Sequence, residues 1–369
     1  MHLAVDASPL LLRSAGVKNY LYHWIAALRQ SGHPHRVSPF PLLDRIGDLT
    51  HEQSTLSSWQ TLPRIALLLG SNYGPGWLNR LLNHRADVFH ATNQVHRPVP
   101  GMALTATLHD MTCWLMPELH TPANVAADQR FASQIAARAD GLIAVSENTR
   151  QDAIRLLGLP PDKVVTIHSG VDPRFFAATS ADADALRTRL HLHKPFLLNL
   201  GTVEPRKNLD TLLDAWTQLR RDDYELVIAG PMGWAAGATA RRIQSGLPGV
   251  RYLGYVAEAD LPALTKAAAV FVYPSLYEGF GFPVAQAMAC GVPVVTSNTS
   301  CLPEITGEGA LHVDPRSPAE LAIALDRLLD SPMLRSALGA AGQLRARTCF
   351  QWAECAAKSW RFFERYQRS

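Results

Sequence analysis

The stretch "AVFVYPSLYEGFGFPVAQAMACGVPVV", Ala269 to Val295, decides the fold. Its opening run of β-branched and aromatic residues predicts a strand. Gly279 and Gly281 then let the chain turn tightly, Pro283 suits the first turn of a helix, and "VPVVTSN" predicts a second strand. A strand, a helix and a strand in so short a span form a βαβ unit, which belongs to a parallel sheet. The turn also carries chemistry. Glu278 stands before the glycines, and Gln286 projects from the first turn of the helix that follows, with the backbone N–H groups of the helix start available between them. The plain alternative for Glu278 is a capping carboxylate.

The same rhythm runs through the chain. "LAVDA", "DVFHAT", "ALTATLHD", "GLIAVS" and "KVVTIHSG" alternate with helical stretches such as "NYLYHWIAALRQ". After a polar, alanine-rich stretch near Ser180, the rhythm restarts with "FLLNLGT", "YELVIAG", "VRYLGYV", "AVFVYPS" and "VPVVTSN". The 369 residues exceed what one core usually serves, so the chain reads as two doubly wound α/β domains in tandem. Open parallel sheets bind ligands beyond the carboxyl ends of their strands, where His90, His109, Ser146, Ser169, Glu204 and Glu278 collect. The cleft between the domains is the expected site.

Composition excludes several classes. A hydrophobic content of 47% with 18% charged residues is that of a soluble globular protein, and no apolar run is long enough to cross a bilayer. The start, "MHLAVDASPLLL", reads as a first strand and not as a signal peptide, because Asp6 interrupts its apolar stretch. Five cysteines, odd in number and without a CxxC pair, point to a reduced, cytoplasmic setting. A net charge of +3 is too small to imply nucleic acid. The segment Leu56 to Leu82 mixes tryptophans, leucines and a "YGPG" turn. It reads as a helical connection packed on the first domain, or as an amphipathic surface for a lipid or acceptor with Arg64, Arg80 and Arg85 supplying charge.

Two further turns suggest anion binding. "SAGVKNYLYHWIAAL" sets Gly16 before a long helix with Lys18 in its first turn, a weak signal alone. "NLGTVEPRKNLDTLLDAW" is stronger: a strand ends at Gly201, and Arg206 and Lys207 precede a helix with apolar Leu209, Leu212, Leu213 and Trp216. Cations at a helix N-terminus oppose the macrodipole, so they need another reason to be there. The planar fork of Arg and the point charge of Lys suit two linked phosphates.

Glu278, the GFGFP turn, "AMACGVPVV" and "LPEI" resemble the glutamate-seven-glutamate signature of retaining GT-B glycosyltransferases, in the large sucrose-synthase and mannosyltransferase group of glycosyltransferase family 4. "GTVEPRKN", "AGPMGW", "VSENTRQDAIRLLGLPPDKV" and "SGVDPRFF" extend the likeness over nearly the whole chain. The resemblance implies two Rossmann-like domains facing a central cleft. Residues 1–180 would hold the acceptor, residues 181–351 the nucleotide-sugar donor, and a last helix at about 352–369 would return to the first domain. Arg206 and Lys207 would bind the donor diphosphate and offset charge on the leaving group, and Glu278 would accept from donor-sugar hydroxyls. The amides of Gly279, Phe280, Gly281 and Phe282 would hold sugar and phosphate; His109 would reach the sugar, and Gly16 and Gly201 would let backbone approach the donor. The resemblance implies reaction on a single face, in which the departing phosphate would take the acceptor's proton, so no enzymic nucleophile is assigned.

The chain departs from the family pattern at Gln286, where a glutamate is usual, and at Lys18 and Asn19, where Gly-Arg is frequent. An amide contacts the ribose without charge assistance, a loss of roughly 1 kcal/mol. "DAD", Asp182 to Asp184, stands in the polar stretch between domains and reads as a helix start and not as a metal-binding pair. With two cations for the phosphates, no metal or other cofactor is expected. The implied activity is retaining hexosyl transfer, mannose from GDP-mannose first and glucose from a UDP donor second, to a saccharide or lipid-linked saccharide in polysaccharide or glycolipid assembly. The protein would be cytoplasmic, with peripheral contact at the inner face of the membrane. A nucleotide-sugar epimerase of this architecture has no need of the EGFGFP arrangement. A non-catalytic scaffold is supported by Gln286 alone.

Overall fold

A computed structural model describes residues 1–43, 46–51, 53–74, 77, 86–92, 94–95, 97, 101–233 and 236–367. The chain divides into two compact units, Met1–Gly170 with the segment from Gln351, and Val171–Phe350. The first boundary falls at Gly170 and not at Ser180, because the second unit already claims the chain there. Val171 N–H donates to the Phe350 carbonyl, and buried Phe175 offers its carbonyl to the Cys290 thiol.

Among the described residues the first unit contains six strands: β1 (His2–Asp6), β2 (Arg36–Phe40), β3 (Val88–Ala91), β4 (Ala103–Leu108), β5 (Gly141–Ala144) and β6 (Val164–Thr166). They form one parallel sheet in the order β2-β1-β3-β4-β5-β6. The second unit contains β7 (Phe196–Leu200), β8 (Glu225–Ala229), β9 (Val250–Gly254), β10 (Val270–Tyr273), β11 (Val294–Ser297) and β12 (Ala310–Val313). Its order is β12-β11-β10-β7-β8-β9, again parallel. Central strands such as β5, β7 and β10 are buried throughout, which is why they read as mostly apolar runs. The two strands that the apolar pattern did not reveal, β2 and β12, are both edge strands. Each is partly exposed, and β2 carries Arg36 and Pro39, so neither presents a continuous apolar signature.

Helices cover these sheets by burying one face. The helix Leu209–Leu219 buries Leu209, Leu212, Leu213 and Trp216, the predicted stripe, in the core of the second unit. Each fully buried leucine contributes roughly 1.5–3 kcal/mol. The last helix, Trp352–Glu364, packs in the first unit on the helix Gly16–Gln30. There Trp24 Nε1 donates to Ser359 Oγ at 3.0 Å, and Trp360 and Phe363 are buried. The helix Ser58–Tyr73 has a mixed character. It buries Thr61, Leu68, Ser71 and Asn72 but leaves Trp59 74% exposed, with Leu62, Leu69 and Tyr73 exposed along the same side. Arg64 is engaged with the Leu42 and Gln60 carbonyls. Arg80, Arg85, the centre of the "YGPG" turn and Trp234 of "AGPMGW" lie outside the described residues. Among the described residues no helix is long and apolar enough to cross a membrane.

Candidate active site

In the second sheet the connection direction reverses between β7 and β10, and ligands of doubly wound sheets bind beyond the strand ends at such a switch point. Both polar loops of interest leave the sheet there. After β7, Gly201 adopts φ 151°, a conformation that disfavours a side chain. The chain continues through Glu204 into a single 3-10 turn, Pro205–Lys207, that ends at Asn208 in the left-handed region. The Asn208 amide donates to the Pro274 carbonyl at 3.0 Å and to the Pro315 carbonyl at 2.6 Å, which ties this loop to those after β10 and β12. Leu276 N–H donates to the Arg206 carbonyl at 2.9 Å, a second tie.

These ties bring Arg206, Lys207 and Glu278 together. Arg206 Nη1 lies 2.9 Å from Glu278 Oε2, and Lys207 Nζ lies 2.7 Å from Glu278 Oε1. Arg206 also pairs with Glu204 at 2.8 Å, and Lys207 donates to the Tyr273 hydroxyl at 2.7 Å. Ser275 Oγ donates to Glu278 Oε1 at 2.6 Å. Burial alone would raise the Glu278 pKa. The two cations, together with the hydrogen bonds from Lys207 and Ser275, outweigh it and bring the value down to about 2. The cluster therefore holds two carboxylates and two cations, all largely buried. An arriving dianion has two positive partners already aimed by the protein.

The turn that opened the sequence reading completes the site. Gly281 caps the helix Phe282–Ala289 at φ 79°, and a Cβ there would sit 2.9 Å from Leu302 Cδ2. Gly279 is buried in the same turn. Phe280 is buried with its ring against Phe282 and Phe350, so any ligand contact from that residue is through its main chain. Gln286 lies in the second turn of the helix, not the first, and is 9% exposed. Its amide has no hydrogen-bond partner among the described residues. Tyr273, Ser275, Asn208 and Ser300 escaped the sequence reading. The Ser300 hydroxyl accepts from Glu278 N–H at 3.1 Å, and these four act through the charged residues they position.

In the first unit the predicted residues have different fates. Gly16 opens its helix, and a Cβ there would meet nothing within 4 Å, so space remains for a ligand. Lys18 does not face that space. Its ammonium is buried and donates to the Thr50 and Gln53 carbonyls at 3.0 and 2.8 Å, and burial brings its pKa down to about 8. His90 is not at a strand end but inside β3, bonded on both ring nitrogens to Thr105 and Thr107. Ser146 caps the helix Glu147–Leu157. His109, just past β4, packs edge-on against Tyr20, and its enclosed Nε2 has no partner among the described residues. Burial pushes its pKa down to about 4, so the ring is neutral at pH 7. Asp182 of "DAD" closes a capping box with Thr179 at the start of the helix Ser180–Arg189, as read from its position.

Two doubly wound units, with a paired cation and carboxylate cluster at the switch point of one, describe a GT-B glycosyltransferase. A family model described as Glycosyltransferase Family 4 matches residues 14–175, and one described as Glycosyl transferases group 1 matches residues 183–345. O-antigen chain mannosyltransferase B of Escherichia coli is 32% identical over 285 residues, covering 76% of this chain and 74% of that protein. The serotype-specific mannosyltransferase WbdA of the same organism is 28% identical over 59% of this chain, which spans only 28% of that longer protein. The Anabaena HepE structure in complex with UDP and glucose superposes with a TM-score of 0.75 at 19% identity, over 99% of both chains. The chain belongs to the GT-B glycosyltransferases of the group 1 and family 4 type, and it is an enzyme of glycosyl transfer.

Proposed function

We propose that the protein transfers mannose from GDP-mannose, with retention, to a saccharide or lipid-linked saccharide acceptor. The observation that carries this reading is the Arg206, Lys207 and Glu278 cluster at the β7 and β10 switch point. The donor diphosphate exchanges places with the Glu278 carboxylate as partner of the two cations, which then stabilise the charge that develops on the leaving phosphate. Glu278, so released, accepts from hydroxyls of the transferred sugar. The helix start at Phe282 turns its N–H groups toward the phosphates, and the Gln286 amide pairs with the ribose. His109, neutral and with a free nitrogen, bonds a sugar hydroxyl. No step requires a metal or another cofactor.

The choice of mannose rests on the likeness to the O-antigen mannosyltransferase. A UDP-glucose donor is the second reading, favoured by the HepE structure that holds UDP and glucose. The exposed row Trp59, Leu62, Leu69 and Tyr73 supports peripheral contact with a lipid surface. A thermal-shift series with GDP, UDP and their sugars, followed by NMR of the fresh product in EDTA, tests donor, anomer and metal together. Stabilisation by GDP-mannose and an α-linked product in EDTA are expected. Preference for UDP-glucose would move the donor to the second reading, and an inverted product or restoration by added metal would overturn the mechanism.

A further inference from the structure

We propose that His33, His35 and Glu364 form a binding site for one divalent transition-metal ion of the zinc type, which ties the approach to β2 to the last helix of the first unit. The two histidines flank Pro34 in the segment that enters β2, and Glu364 is the final residue of the helix Trp352–Glu364. His33 Nε2 and His35 Nε2 lie 3.6 and 3.3 Å from the same carboxylate oxygen, Glu364 Oε1. One donor atom from each of the three residues falls within 4.8 Å of the others. Ligands held about 2.0–2.2 Å from a tetrahedral zinc ion stand about 3.3–3.5 Å apart, and the two histidine–carboxylate separations match that spacing. Imidazole and carboxylate are donors that suit zinc, and an exposed edge leaves room for water as the fourth ligand.

The surroundings hold the donors in place. The buried Trp360 ring stacks on His33 at 5.5 Å and meets His35 edge-on at 5.2 Å, while its Nε1 donates to Ser31 Oγ at 2.9 Å. Both imidazoles are thus oriented by one fixed ring. On the far side of His35, Nδ1 faces the Met1 amino nitrogen at 3.3 Å. An ion here joins segments far apart in sequence and therefore stabilises the folded chain. None of the three ligands belongs to the proposed transfer machinery, so the site is structural and independent of it.

The test titrates metal-free protein with Zn²⁺ alone by calorimetry, with Co²⁺ absorption as a geometric readout. The parent is expected to take up one tight equivalent of Zn²⁺, to show the intense visible bands of four-coordinate Co²⁺ and to melt at a higher temperature with the ion. Glu364→Gln and His35→Gln should each lose at least about tenfold in affinity and lose the Co²⁺ bands. His193→Gln, a change in the second unit's histidine pair, should behave like the parent. Thermal unfolding of the metal-free variants confirms that each is folded. Absence of a stoichiometric ion in the parent, or unchanged binding in both Glu364→Gln and His35→Gln, overturns the proposal.

Discussion

Replacing Glu278 by Gln separates what the carboxylate does for the fold from what it does for the reaction. Glutamine resembles the protonated acid in shape, so the substitution reports the difference between charged and neutral forms. The pKa falls from 4.5 to about 2 in the folded chain. At 1.36 kcal/mol per unit, the charged form stabilises the fold by about 3 kcal/mol at pH 7. The side chain is largely buried, so solvent screening removes little of that. Because the folded pKa is depressed, this contribution is complete above about 4.5 and disappears as the pH falls toward about 2. Urea unfolding should therefore show Glu278→Gln weaker than the parent by about 3 kcal/mol at pH 7, with the gap closing on acidification. Arg206 and Lys207 lose their shared counter-ion at the same time, so GDP should bind at least as tightly as to the parent, while transfer falls about a hundredfold or more. A stability gap that does not change with pH, or loss of GDP binding together with activity, would refute this reasoning.

The other predictions concern residues with simpler environments. Gln286→Ala should weaken GDP binding about tenfold, whereas Gln286→Glu should alter it by no more than about tenfold, since charge assistance to the ribose is offset by repulsion from the diphosphate; calorimetric titration reads both. Lys18 has a depressed pKa of about 8, so it holds fewer protons in the folded than in the unfolded chain above that pH. The unfolding free energy of the parent relative to Lys18→Met should therefore rise between pH 8 and 10, by about 2 kcal/mol. Replacing Trp59 and Leu62 together by Ser should release the protein from anionic lipid vesicles in a sedimentation assay while leaving its melting temperature within a few degrees of the parent. Sedimentation of the parent without vesicle association would remove the lipid contact from the account.

The buried strands and the cation pair were legible because each leaves a local trace. β7 and β10 are buried throughout and mostly apolar, and Arg206 with Lys207 stand where the macrodipole would not put them. The edge strands β2 and β12 were hidden, since half-exposed strands share their composition with loops. Lys18 misled for a physical reason: a lysine in the first turn of a helix looks like a phosphate ligand until the Thr50 and Gln53 carbonyls are seen to enclose it. His90 misled in the same way, because two threonines of the neighbouring strand bond its ring. The direct pairing of Glu278 with both cations was also beyond the sequence. It depends on Asn208 drawing three loops together across residues far apart in the chain.

The central claim is that Arg206 and Lys207 receive the donor diphosphate and stabilise its departure. The most direct measurement is kcat/KM with GDP-mannose for Arg206→Ala and Lys207→Ala, alongside the thermal unfolding of each. The account predicts a fall of about a hundredfold or more in both, from loss of charge stabilisation in the transition state, with each variant still folding cooperatively. Near-parental kcat/KM in both folded variants would contradict it.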